Sequence, residues 1–122
     1  MKKLSILIIS FTFVLLSTFA HSAQELEIIN GDHWTTSSLE QKRSFLFGIG
    51  NMLEIEQAMA GDDYEMMRGR SIVPVLLEGL SGISIADLVV QLDNYYAEHP
   101  QQMERSVIEV LYLEMAKPNL KN

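Results

Sequence analysis

The sequence predicts an all-α protein, with a single small bundle-like domain of four to five helices after a cleaved signal peptide. Apolar residues recur at three- and four-residue intervals in several separate segments, which is the spacing of one helix face. No segment sustains the alternation of a strand. Ser, Asp, Gly and Pro residues stand where the periodic segments begin and end, as helix caps and breakers do.

The first 23 residues are predicted to be a signal peptide, and residues 24–122 the helical domain. Two lysines and an apolar run at residues 4–16 precede small residues that suit a cleavage site. The run is shorter than the roughly 20 apolar residues of a membrane span. Cleavage after Ser22 and cleavage after Ala23 fit equally well.

Predicted export points to a soluble periplasmic domain. The composition of this domain limits the kinds of partner expected for it. The chain has no cysteine, so it offers neither a lipoprotein anchor nor a disulfide. Its net charge is −7, and loss of Lys2 and Lys3 with the leader changes this to −9. Such a domain repels nucleic acid and anionic lipid, so neither is expected as a partner. A basic protein partner is favoured.

Residues 24–36 form a polar lead-in in which an Asn-Gly pair predicts a turn. Asp32 and His33 suit general base work, but the sequence identifies no nucleophile or metal within their reach. We therefore expect the turn to dock the neighbouring Trp34, the only tryptophan, on the bundle as packing material.

The first long helix is predicted to run from Ser37, which has Glu40 at capping-box spacing, to about Ala60. Gly61 and two aspartates then favour a turn. We expect Gly48 and Gly50 to let another helix approach closely. The apolar stripe expected to face the core is Leu39, Phe45, Leu46, Phe47, Ile49, Met52, Leu53 and Ile55.

Three further helices are predicted. A short helix begins near Ser71 with Pro74 in its first turn, and the next begins at Ser84, capped with Asp87. The last helix begins at Pro100, because proline disfavours helical geometry in the residue before it. The apolar stripes of the last two helices are Ile85, Leu88, Val89, Leu92, Tyr95 and Tyr96, and then Met103, Val107, Val110, Leu111 and Met115.

Residues 82–100 and 107–118 resemble the C-terminal half of the Tai/Rap immunity proteins of type VI secretion. The shared features are a capped helix start, an acid-His-Pro helix end at 98–100, and a last helix that finishes at a proline. Residues 45–49 resemble the first-helix glycine segment of that family. The family usually has paired cysteines flanking this region, and this chain has none.

The resemblance implies an all-helical periplasmic homodimer that occludes the active site of an incoming cell-wall amidase, without catalysis or a cofactor. Trp34, Lys42 and Gly48 also resemble a pattern in a looser group of small exported helical proteins. Both resemblances are compatible with a non-enzymatic binding protein.

The predicted partner-binding segment lies between Gly61 and Gly69. It is acidic and loop-like, and its tyrosine and methionines are anchors of the kind that dominate protein interfaces. A basic secreted toxin or amidase is the expected partner. The predicted binding residues are Asp62, Asp63, Tyr64, Glu65, Met66 and Met67.

The alternative is a periplasmic protein that binds a metal or another small ligand. Met66 and Met67 offer soft thioethers to cuprous ion, and His33 and His99 offer nitrogen ligands. The histidines have no recognisable ligand spacing, and His99 is expected to cap its helix. The sequence therefore assigns no metal site.

Overall fold

The structure, a computed structural model of the 122-residue chain, describes residues 27–120. The predicted signal peptide and its cleavage positions lie outside the described residues. Within them the chain is all-α, as predicted, and its only β feature is an isolated bridge between Asn30 and Ser106. No described helix has both the length and the apolar character needed to cross a membrane. The five α-helices of residues 27–120 are α1 Gly31–Thr36, α2 Leu39–Ala60, α3 Val73–Gly79, α4 Ile85–Glu98 and α5 Val107–Val110.

Shorter helical segments connect or extend these helices. The prediction that the last helix begins at Pro100 is wrong, because Pro100 starts only a 3₁₀ turn and Ser106 caps α5 instead. The segment Leu111–Ala116 continues α5 as a π-helix. The 3₁₀-helical segments are Gly61–Met67, Pro100–Gln102 and Lys117–Asn119.

The Asn-Gly pair before Trp34 caps a helix rather than forming the predicted turn. The Asn30 side chain accepts a hydrogen bond from the His33 amide at 3.1 Å, and His33 Nδ1 accepts one from the Asn30 amide at 3.5 Å. This reciprocal pair satisfies amides at the start of α1. Only a residue without a side chain fits at position 31, because a Cβ there would lie 2.6 Å from the Tyr96 ring. Trp34 is buried, as predicted.

The N-cap of α2 lies one residue later than predicted. Ser38 Oγ accepts a hydrogen bond from the Gln41 amide at 3.2 Å, and Gln41 Oε1 accepts one from the Ser38 amide at 2.8 Å. Ser37 instead ends α1, where its hydroxyl donates to a backbone carbonyl at 2.7 Å. The predicted end at Ala60 is confirmed, and Gly61 follows with a φ of +50° that favours glycine.

Only one side of α2 packs against the rest of the domain. Leu46 and Leu53 are buried, whereas the prediction that the whole stripe faces the core is wrong. No second helix of the described residues packs closely against Gly48 or Gly50, contrary to prediction. A Cβ at either position would meet nothing within 4 Å. The members of the predicted stripe that are more than half exposed are Leu39, Phe47, Met52 and Ile55.

The core is built mainly from α3, α4 and α5, with Trp34 added from α1. The predicted start of α4 is confirmed, because Ser84 Oγ accepts a hydrogen bond from the Asp87 amide at 3.1 Å. Pro74 lies in the first turn of α3, also as predicted. The largest fully buried side chains are Trp34, Tyr96, Leu76, Leu92, Leu111, Val107, Val110 and Pro74.

The backbones of α3 and α5 lie in close contact. Gly79, the last residue of α3, is so near Ala116 that a Cβ would sit 2.1 Å from the Ala116 carbonyl oxygen. Ala116 belongs to the π-helical part of α5 and is fully buried. The absence of a side chain at Gly79 therefore sets how closely these two elements pack.

Two backbone hydrogen bonds join the start of α1 to the segment that leads into α5. The Ile29 carbonyl accepts a hydrogen bond from the Val107 amide at 2.9 Å, and the Gly31 amide donates to the Met103 carbonyl at 2.8 Å. These bonds attach the N-terminal lead-in to the C-terminal part of the domain.

Asp93 on α4 joins three elements. Its Oδ1 accepts hydrogen bonds from Trp34 Nε1 and from Lys42 Nζ, both at 2.8 Å. The Lys42 ammonium also lies 5.4 Å from the centre of the Trp34 ring, within cation–π range. The Lys42 side chain is only 12% exposed, so it is shielded from most of the solvent. One carboxylate thus connects α1, α2 and α4.

Gly79→Ala is expected to lower the free energy of unfolding by about 1–3 kcal/mol, because the new methyl group overlaps the Ala116 backbone. Gly50→Ala is the matched control. It adds the same atom in open space and should leave stability unchanged or raise it by up to ~1 kcal/mol. Urea unfolding measures both changes. Wild-type stability for Gly79→Ala would contradict the close contact.

Asp93→Ala is expected to lower the free energy of unfolding by about 1–3 kcal/mol, since Trp34 Nε1 and Lys42 Nζ both lose their acceptor. Asp93→Asn keeps an oxygen for the indole and should cost on the order of 1 kcal/mol. Unfolding is followed by the fluorescence of Trp34, the only tryptophan. An equal loss in both variants would show that the ion pair, rather than the indole hydrogen bond, is the main contribution.

Candidate functional site

Apolar side chains form a row along the solvent side of α2, which we call the outer face. Gly48, Met52, Ile55 and Met59 are spaced alternately by four and three residues, so they lie on one face of the helix. Phe45 continues this spacing at the N-terminal end, where it is partly buried against the core. Met52 and Ile55 are more than half exposed, and Met59 is 82% exposed. Clustered apolar exposure of this kind is typical of an interaction surface.

The predicted partner-binding segment continues directly from the end of α2. It folds as the 3₁₀ helix Gly61–Met67, in which no residue is buried. Met66 is 62% exposed, Tyr64 is partly exposed, and Met67 packs against the core. Glu65 is engaged by Arg68 at 2.8 Å. The residues left most free to meet a partner are Asp62, Asp63, Tyr64 and Met66.

The surface formed by the outer face and this segment is negatively charged. Residues 44–67 contain five acidic residues and no Lys, Arg or His. The nearest following base, Arg68, is held by Glu78 at 2.9 Å and by Glu65, and these hydrogen bonds raise the pKa of Arg68. Apolar anchors therefore stand among carboxylates of which only Glu65 has an ion-pair partner in residues 27–120.

A groove lies on another side of α2, between α2 and the turn that joins α3 to α4. This groove has a volume of about 460 Å³. Its floor includes the buried Leu76 and Leu111, and Gly50 lies in its wall without a side chain. The partly buried aliphatic side chains that line the groove are Ile49, Leu77, Leu80, Ile83 and Ile85.

Neither the outer face nor the groove was predicted from the sequence, which assigned all of the α2 stripe to the core. The signal was nevertheless present, because the apolar residues of α2 cover more than one side of the helix. A helix that is apolar on two sides in a domain with few other helices leaves one side uncovered. Periodicity alone does not say which side.

The candidate metal ligands do not converge. Among the described residues no group of three or more His, Cys, Asp or Glu side chains is placed to hold a metal ion. His33 Nε2 lies 3.1 Å from Glu27, and its Nδ1 caps α1. His99 is the C-cap of α4, as predicted, with its ring stacked on Tyr95. Met66 is exposed, whereas Met67 is partly buried against the core.

Arg105 lies at the centre of a polar cluster near the C-terminal end of α4. Its guanidinium donates to Glu109 at 2.9 Å and to Glu114 at 2.8 Å. Hydrogen bonds to Glu114 and Glu109 raise the pKa of Arg105, so it stays charged. It also donates to the Tyr95 hydroxyl. Each group has a partner within the domain, so the cluster supports structure rather than exposing a reactive group.

No family model, curated protein or solved structure matches the chain. The resemblance to Tai/Rap immunity proteins therefore stays a prediction that rests on the residues given above. The outer face and the acidic segment that follows it are the surface features that bear on protein binding.

Tyr96 is expected to ionise well above the ordinary pKa of a tyrosine. Its ring is buried and its hydroxyl donates to the Arg105 carbonyl at 3.0 Å. Burial raises the pKa of Tyr96 to about 12, with a further contribution from Tyr95. The unfolded chain loses this proton near its ordinary pKa of about 10, so stability should be full below pH 10 and fall as pH rises towards 12.

Ultraviolet titration of tyrosinate checks this expectation, and Tyr96→Phe is the control. The variant should lack the high-pH ionisation and lose less stability between pH 10 and 12. Titration of all four tyrosines near the ordinary value would contradict the burial argument.

Proposed function

We propose that the protein is an exported, non-enzymatic binding protein that recognises a basic protein partner in the periplasm. The observation that supports it is the row of exposed apolar residues on α2, which leads directly into an acidic segment. The binding surface consists of the outer face of α2 together with residues 61–67.

The two parts of this surface contribute differently to binding. Burial of Met52, Ile55 and Met59 against a partner removes apolar area from water and supplies affinity. The carboxylates around them attract a basic partner over a distance and orient it during encounter. A partner with an apolar patch surrounded by Lys and Arg residues is the complementary chemistry.

Within this function, the resemblance to Tai/Rap proteins favours an immunity role. An immunity protein works by covering the active site of a toxin, so it needs a contact surface and no reactive group of its own. The charge supports the choice of partner, since a cell-wall-degrading enzyme that is basic binds readily to a domain with an expected charge of −9.

Ile55→Asp and Met59→Asp are expected to weaken partner binding at least tenfold, which corresponds to about 1.4 kcal/mol. Both residues are exposed, so the substitutions should leave the fold intact. The partner is sought by co-purifying the protein with the products of adjacent toxin-like genes, and affinity is then measured by biolayer interferometry.

Val90→Asp is the matched control, because Val90 is 56% exposed but lies on α4. It should keep wild-type affinity within about twofold, a difference well under the 1.4 kcal/mol of a tenfold change. Raising the salt concentration should slow association with the wild-type protein. The proposal fails if no neighbouring gene product binds above background, or if the α2 variants bind as tightly as Val90→Asp.

A further inference from the structure

The groove between α2 and the α3–α4 turn is left open by the absence of a side chain at Gly50. A Cβ built on Gly50 meets nothing within 4 Å, although Gly50 lines the groove together with buried leucines. Protein interiors normally fill such space to crystal-like density. Elsewhere in the same domain Gly79 serves the opposite purpose, since its missing side chain lets two backbones touch.

The size and lining of the groove suit one alkyl chain. Its volume of about 460 Å³ falls in the usual range of small-molecule sites, roughly 300–1,000 Å³. The groove follows α2 from Leu46 to Glu54, and eight residues of helix span about 12 Å. Along this length the lining is mainly aliphatic. A flexible hydrocarbon chain can therefore bury its length there.

One end of the groove opens into a polar cleft. The two spaces adjoin, because they share the lining residues Glu54, Leu77, Ser81 and Ile83. The remaining wall of the cleft carries polar side chains, which suit a head group rather than a tail. These polar side chains are Gln57, Tyr64, Arg68, Glu78 and Asn119.

The charges at this polar end favour a cation. Arg68 is the only basic residue that lines the cleft, and it is already paired with Glu78 and with Glu65. Glu54 has no ion-pair partner among residues 27–120. The cleft is lined by two carboxylates, Glu54 and Glu78, and by one guanidinium, so its net charge is negative. An anionic head group is repelled by this charge.

We propose that the groove is a binding site for an amphiphile with a single alkyl chain and a cationic head group. The chain lies between α2 and the α3–α4 turn over Gly50, and the head group lies in the cleft beside Glu54. The outer face of α2 takes no part in this site, and Tyr64 is the one residue of the proposed partner surface that also lines the cleft. Binding of an alkyl probe is measured without the protein partner, so the two proposals are tested separately.

Isothermal titration of the full-length protein with dodecyltrimethylammonium, below its micelle concentration, tests the site. We expect saturable binding of one probe per chain. Affinity should rise about fourfold for each methylene added, until the chain fills the groove. Dodecyl sulfate has the same tail with an anionic head, and it should bind at least tenfold more weakly.

Gly50→Leu is expected to reduce probe affinity at least tenfold, because the new side chain occupies the groove. Gly48→Leu is the matched control, since it makes the same change two residues away on the outer face, where a Cβ also meets nothing. Its affinity for the probe should stay within about twofold of the wild-type value. This difference is smaller than the roughly fourfold change expected for one methylene. Circular dichroism verifies that both variants are folded.

A measurement on the wild-type protein keeps the test independent of the variants. Binding should shift the methyl NMR signals of Leu77, Ile83 and Ile85 in the groove and leave Met59 on the outer face unchanged. Three results would overturn the proposal: no saturable binding, tighter binding of dodecyl sulfate, or equal losses in the two leucine variants. Binding of an amphipathic helical peptide without binding of the alkyl probe would also overturn it.

Discussion

The position of α2 depends on a single carboxylate. Asp93 holds the Trp34 indole and the Lys42 ammonium at the same oxygen, so the N-terminal part of α2 is fixed to α1 and α4 together. Leu46 and Leu53 face the core. Because an α-helix turns by a fixed angle per residue, this also determines which residues of α2 point away from the core. This attachment and the burial of the two leucines together leave the outer face exposed.

Local chemistry explains which parts of the fold were predictable. The start of α4 at Ser84 and the end of α2 before Gly61 depend on side chains a few residues apart, and both predictions are confirmed. The start of α2 is ambiguous locally, because Ser37 and Ser38 each have a suitable partner three residues later. Docking of Trp34 resolves it by making Ser37 the end of α1.

The candidate site was less predictable because it depends on what α2 does not contact. The sequence indicates that Phe47, Met52 and Ile55 are apolar, but α3 and α4, the two helices that pack most on α2, cannot surround a 22-residue helix. Gly48 and Gly50 illustrate the result. Residues two apart on a helix do not share a face, so one glycine lies on the outer face and the other in the groove.

The hydrogen bonds from Ile29 and Gly31 to residues 103 and 107 connect positions more than 70 residues apart in the chain. Ribosomes produce the N-terminal partner first, so these bonds can close only after almost the whole domain has been synthesised. Until then the segment next to the predicted leader has no docking site. Docking of the N-terminal end is therefore among the last steps by which the domain closes.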